Sequence, residues 1–337
     1  MQFFSPVDIL KSDIAINHSK GVVLIGSCFA DNIGSCMKEA KFNVLANPFG
    51  TLYNPLSIKW VIEQSLESRT FCPPDQELFQ DGEGTWHSWM HHSDFSSQSA
   101  EELCLNINKA GDEMRRQLQT AGTLIVTFGT AIVYTLKENG HLVANCHKQK
   151  DNLFERKRLK TEEITEAWSD LLRQLHELNP ALQVILTVSP IRHQRDGLHT
   201  NQLSKATLLL ATDQLVSSSQ GKDGYPHLEY FPSYEIMMDE LRDYRFYADD
   251  MTHPSPIAVQ YIWERFSRSH FSKVTEGIID SCKRISKALN HRPSRPDSTV
   301  YKAFIADTLK QIQTLTNNHP YINMEKETEK CNTLLEK

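Results

Sequence analysis

Val22-Val23-Leu24-Ile25-Gly26-Ser27-Cys28-Phe29 is the stretch that decides the fold. An apolar run this short and this rich in β-branched residues reads as a strand buried on both faces. Gly26 permits a tight turn, and residues 29–40 carry apolar side chains three and four apart, so a helix begins almost at once. Ser27 therefore stands at the carboxyl end of a buried strand, the edge of an open α/β sheet at which ligands bind. The amides that open the helix, that of Cys28 among them, point toward anything bonded to Ser27 Oγ and would stabilise a developing oxyanion there. The plainer reading is that Ser27 merely caps the helix.

The same alternation continues along the chain. Residues 44–46, 124–128 and 184–188 form further short β-branched runs, and residues 55–66, 100–119, 162–178 and 201–218 carry helical periodicity. Alternating β and α predicts an α/β fold with a mainly parallel sheet covered on both faces. Within 131–147, two alternating runs flank Asn139-Gly140, a turn dipeptide that predicts a β-hairpin inserted into that body. A helix pair at 257–271 and 274–289 closes the body, and Asn-His-Arg-Pro-Ser-Arg-Pro-Asp-Ser at 290–298 has the composition of a linker. This divides the chain into a domain at 1–289, a linker at 290–298 and a helical C-terminal extension at 299–337. In the extension, 301–315 is periodic and 325–337 is charged enough to be a frayed helix.

Composition narrows the functional classes. A chain of 337 residues with 39% hydrophobic and 23% charged residues is a soluble globule with a sizeable core. A net charge of -6 gives no attraction to phosphate backbones, so no nucleic-acid partner is expected. Seven cysteines, odd in number and without C-x-x-C spacing, point to a reduced compartment. The N-terminus lacks a signal-peptide pattern, and the longest apolar stretch, 121–136, falls short of the roughly 20 residues of a membrane span. A cytoplasmic protein with no membrane span and no cofactor is expected, its oligomeric state left open.

Three more clusters carry chemistry. Asp250-Met251-Thr252-His253 precedes Ser255-Pro256, an N-cap and N1 pair, so the acid and the imidazole share one loop. An Asp three residues before a His can accept its Nδ1 proton and leave Nε2 free to deprotonate a hydroxyl; Asp249 is the weaker contender for that role. Arg192 and His193 follow the fourth strand. Arg192 is suited either to a substrate carboxylate or phosphate or to an ordinary salt bridge, and His193 is a rival base. In Trp86-His87-Ser88-Trp89-Met90-His91-His92-Ser93-Asp94, His87, His91 and Asp94 would have metal-ligand spacing on a helix. Flanking glycines and serines favour a loop instead, so no metal is expected. On that loop His92 and Trp89 would line the rim of a substrate pocket, unless the tryptophans pack the loop onto the body. Cys28, at the same helix N-terminus as Ser27, ranks below it as a nucleophile.

Gly26-Ser27-Cys28-Phe29-Ala30-Asp31-Asn32-Ile33-Gly34, Asn47-Pro48-Phe49-Gly50 running on to Pro55, Phe128-Gly129-Thr130-Ala131-Ile132-Val133-Tyr134 and Asp250 to Pro254, taken together and in this order, resemble the GSCFA family of bacterial proteins. The resemblance spans about residues 1–285. That family is grouped with the SGNH, or GDSL-like, hydrolases, which implies a three-layer α/β/α sandwich around a parallel sheet of about five strands. It also implies an esterase-type serine hydrolase with Ser27 as nucleophile, His253 as base, Asp250 as its orienting acid and an oxyanion N–H from Gly50. The usual Gly-Asp-Ser is here Gly26-Ser27-Cys28, and the block that supplies an oxyanion-hole Asn is replaced by Gly129-Thr130-Ala131. That leaves Thr130 Oγ or Asn47 as the substitute donor. The expected substrate is an acyl ester, an acylated carbohydrate among the candidates, with the acyl group passed to water or to another hydroxyl. The alternative is a catalytically idle protein that binds a glycan or acyl group in the same cleft.

Overall fold

The computed structural model describes residues 5–294 and 298–336, so residues 295–297 of the expected linker lie outside the described residues. The body opens with β1 (Val22–Gly26), α1 (Cys28–Glu39), β2 (Val44–Ala46) and α2 (Pro55–Leu66). A short hairpin, β3 (Leu78–Gln80) and β4 (Trp86–Ser88), leads into α3 (Ala100–Thr120) and β5 (Thr123–Phe128). Next come β6 (Ile132–Leu136), β7 (Leu142–Val143), β8 (Phe154–Arg158), α4 (Thr161–Leu178), β9 (Gln183–Val188), α5 (Leu198–Ser219) and β10 (His227–Phe231). The short α6 (Ser233–Glu235) runs into a π-helical turn, and α7 (Pro256–His270), α8 (Lys273–Leu289), α9 (Thr299–Asn318) and α10 (Glu325–Glu336) complete the chain.

Five of these strands make one parallel sheet in the order β10-β9-β5-β1-β2. The continuous burial of β1 follows from its side chains alternating between two cores. Val23 and Ile25 face Ile58, Ile62, Leu118, Leu171 and Leu208, while Val22 and Leu24 face Ile33, Met37, Ile262 and Phe266. Each such side chain contributes roughly 1.5–3 kcal/mol by leaving water, which is why the helices are held on both faces. Strand order reverses at β1, with β2 on one side and β5 on the other, so the crevice for a ligand opens at the carboxyl ends of β1 and β5.

The hairpin expected at 131–147 forms as β6 and β7, with Gly140 at φ +72° in its turn. It is larger than expected, because β8 pairs antiparallel with the other side of β6. The helix at the C-terminus of the extension is ordered against its neighbours. Ile278, Cys282, Ile285 and Leu289 of α8 share one core with Tyr301, Ile305 and Ile312 of α9 and Cys331 of α10. Lys41, just after α1, pairs with Glu327 of α10 at 2.6 Å. All seven cysteines are free thiols, and no described helix is long and apolar enough to cross a membrane.

Candidate active site

Gly26 adopts φ +137°, a conformation reserved for glycine, and a Cβ there would lie 2.1 Å from the Thr127 carbonyl oxygen. β1 is thus pressed against β5 at the point where the chain turns into α1. Ser27 becomes the N-cap: its Oγ accepts from the Phe29 N–H at 3.3 Å, and its own N–H donates to the Thr127 carbonyl at 3.2 Å. The Ser27 hydroxyl donates to Ser189 Oγ at 3.0 Å, and both serines are fully buried. Asn47 braces the turn from the next loop, accepting from the Gly26 N–H at 2.8 Å and donating to the Ser27 carbonyl at 3.4 Å.

The second piece is the loop before α7. Asp250 Oδ2 lies 2.5 Å from His253 Nδ1, and Asp250 Oδ1 accepts the N–H groups of Thr252 at 2.8 Å and His253 at 2.9 Å. The backbone N–H and the imidazole of His253 together hold the Asp250 carboxyl down to about 2. It stays ionised at any ordinary pH and fixes a proton on Nδ1, leaving Nε2 as the basic nitrogen. This loop is fastened to the exit of β9: the Arg192 N–H donates to the Thr252 carbonyl at 3.2 Å, and Arg192 Nη1 and Gln194 Nε2 donate to that of Met251 at 3.4 and 3.1 Å. Arg192 stacks over Tyr247 at 4.8 Å and has no carboxylate partner among the described residues. The salt-bridge alternative for this residue does not apply; it packs under the Asp250–His253 loop instead.

The remaining candidates are placed as follows. His193 lies against Gly129 and Tyr53, with Nε2 buried and without a hydrogen-bond partner. Burial, with Lys205 and His253 adding, pushes its imidazole down to about 3, too weak for a general base near neutrality. Burial also pushes the Cys28 thiol up to about 11, so the group at this helix N-terminus is a thiol and not a thiolate. The Cys28 N–H, in the first turn of α1, has no intrahelical acceptor and points outward from the positive end of the helix dipole.

The other oxyanion donors expected from the sequence are engaged elsewhere. The Gly50 N–H donates to the Asn47 carbonyl at 2.8 Å, and Gly50, at φ +75°, is there for close approach, since a Cβ would sit 2.1 Å from that of His92. Thr130 Oγ1 pairs with Ser204 Oγ at 3.0 Å and accepts from the Ile132 N–H. The N–H groups of Gly129 and Thr130 both donate to the Tyr53 carbonyl, at 2.8 and 2.9 Å. In this arrangement the backbone N–H groups of Gly50 and Thr130 are both already taken.

Trp89 is buried, stacked on Phe79 with ring centroids 3.6 Å apart and edge-on to Phe154, so it packs its loop onto the inserted sheet and does not line a rim. His92 does face a cleft of about 830 Å³, shared with Tyr53, Tyr134, Asn145, His147 and Arg195. The neighbouring histidines go separate ways. His87 binds Asp81 and Ser96, His91 is buried against Ser88, and His92 contacts Asp94 at 3.1 Å. Among the described residues no three His, Cys, Asp or Glu side chains gather as a metal shell.

Two residues at this edge escaped sequence reasoning. Ser189 ends β9 and receives the Ser27 hydroxyl. Lys205 of α5 is fully buried, its Nζ donating to the carbonyls of Gly129 at 2.6 Å and Ser189 at 2.7 Å. The signal for Lys205 was its helical spacing: it lies among Asn201, Ser204, Leu208, Thr212 and Leu215, the face that α5 buries.

The family model described as GSCFA family matches residues 21–266, about three quarters of the chain. The chain belongs to the GSCFA family. A second model, the GSCFA domain protein C-terminal domain, matches residues 282–337 and so begins within α8. No curated protein matches the sequence. Among solved structures, this GSCFA protein is similar to a carbohydrate esterase of family 3 from Talaromyces cellulolyticus at 10% identity and a TM-score of 0.35, covering 77% of this chain and 99% of that one. It is also similar to an acetyl xylan esterase from the rumen bacterium Butyrivibrio proteoclasticus at 12% identity and a TM-score of 0.36, covering 75% of this chain and 63% of that one. Likeness at this level carries no chemistry from those proteins to the GSCFA chain.

Proposed function

We propose that this GSCFA protein is an esterase-type serine hydrolase in which Ser27 is the nucleophile, His253 the general base and Asp250 the acid that orients it. The observation that carries the reading is the Asp250–His253 pair at 2.5 Å, with the second carboxylate oxygen held by two backbone N–H groups. That arrangement leaves one basic nitrogen on an imidazole at the sheet edge to which Ser27 also belongs. In the reaction Ser27 Oγ swings from Ser189, gives its proton to His253 Nε2 and attacks the ester carbonyl. His253 then protonates the departing alcohol, and water or another hydroxyl repeats the sequence on the acyl-enzyme. The Cys28 N–H meets the oxyanion at the N-terminus of α1. Tyr53, His92 and His147 in the adjoining cleft suit a substrate with both ring faces and hydroxyls, such as an acylated carbohydrate.

The test is labelling with a fluorophosphonate, which a serine attacks only when a base activates it. Wild type should take one label on Ser27, and Ser27→Ala and His253→Ala should take none. A second reading, a glycan- or acyl-binding protein without turnover, draws support from the engaged N–H groups of Gly50, Gly129 and Thr130. It becomes the account if wild type takes no label yet binds an acylated oligosaccharide in calorimetry.

A further inference from the structure

Lys205 is a chemically expensive feature at the sheet edge that this reaction leaves unused. A side-chain amine with no exposed surface costs a great deal to desolvate, and a hydrophobic side chain of similar volume would fill the same space at lower cost. No carboxylate of the described residues pairs with it. Its two hydrogen bonds go to main-chain carbonyls, Gly129 at the exit of β5 and Ser189 at the exit of β9. Those exits lie side by side next to the turn that carries Ser27, whose hydroxyl reaches across to Ser189. The side chains that face the amine are the Cys28 thiol from α1, the His193 imidazole from the loop after β9 and the Tyr234 ring from α6, whose centroid is 5.6 Å away. None of them supplies a negative charge near neutrality.

We propose that Lys205 is a positioning residue of the Ser27 site, tying the exits of β5 and β9 together so that Ser189 presents the Ser27 hydroxyl, and leaving its positive charge unspent beside the oxygen that becomes anionic. The proposal rests on the hydrolase reading. Burial pushes this amine down to about 7, so its charge is lost on the alkaline side of neutrality and the serine should become less reactive there.

The experiment measures the fluorophosphonate labelling rate from pH 6 to 9.5, together with urea unfolding, for wild type and Lys205→Met. Methionine keeps the volume and removes the charge and both donors. The expected result is a rate about 10- to 100-fold lower for Lys205→Met, with an unfolding midpoint equal to or above that of wild type. The wild-type rate should fall above neutral pH, and the variant should lack that fall. Equal rates, or the same alkaline fall in both, would overturn the proposal while leaving Ser27 as nucleophile. A flat wild-type profile overturns it too, and decides the matter even if Lys205→Met fails to fold. A wild type that takes no label removes the hydrolase reading and this role with it.

Discussion

At Gly26 a single hydrogen is all that separates the strand from its neighbour's carbonyl. Gly26→Ala would place a methyl 2.1 Å from the Thr127 oxygen at an unfavourable φ, and should cost on the order of 3 kcal/mol of stability, read from urea unfolding. On the proposed mechanism Ser27→Ala and His253→Ala should each remove turnover by similar factors, and the double variant should be no worse than either, because a nucleophile and its base act as one unit. Asp250 has a pH signature of its own. Its carboxyl sits below the ordinary range, so the stability it adds is present above about pH 4 and is lost as pH falls through about 2. The difference in melting temperature between wild type and Asp250→Asn should therefore shrink over that window; a difference constant down to pH 2 would contradict the pairing. The D-x-x-H spacing made this pair legible in the sequence, because acid and base lie within one loop. The occupation of Thr130 was not legible, since the groups that claim it, Tyr53 and Ser204, come from another loop and from α5, and neither was the close approach of His92 to Gly50.

Elements differ in how plainly they announce themselves. β1, β5 and β9 are buried on both faces and so are mostly apolar, each with a run of at least three consecutive aliphatic residues, whereas β10 lies at the sheet edge and runs exposed, buried, half-buried, half-buried, buried through His227-Leu228-Glu229-Tyr230-Phe231. An edge strand has only part of its surface to hide, which is why the fifth strand left no clear apolar run. β8, with four exposed residues after Phe154, is hidden for the same reason. The β3–β4 hairpin is shorter still, and its stability comes from side chains that lie far apart in sequence. Trp89→Ala, which removes the stack on Phe79 and the contact with Phe154, should cost about 3–5 kcal/mol. Thermal melting would show it, and an unchanged melting temperature would return Trp89 to the substrate rim.

Over the whole molecule, several buried and half-buried imidazoles set the acid limit. Burial pushes His91 and His193 down to about 3 and His147 and His270 to about 4, so all four are neutral in the native state when the unfolded chain has already protonated them. The unfolded state then binds more protons, and stability must fall as pH drops below about 6.5 toward 4. Urea midpoints should decline steeply across that range; a flat profile would mean that these rings are accessible. Lys205 acts with the same sign on the alkaline side. Between about 7 and the ordinary lysine range the unfolded chain keeps a proton that the native state has released, so wild type should gain stability relative to Lys205→Met as pH rises from 7 to 10.

The cleft that His92 faces is walled largely by chain that the parallel sheet does not need: His92 follows the β3–β4 hairpin, and Tyr134, Asn145 and His147 belong to the β6–β7–β8 excursion, while Thr51, Tyr53 and Arg195 come from the body. Ser27 stands at the carboxyl end of β1 and His253 in the loop before α7, outside both insertions. On the proposed reading, recognition and bond-breaking are carried on separable lengths of polypeptide. In such a hydrolase the two insertions could be exchanged like interchangeable jaws, altering what is gripped while the cutting edge stays as it is.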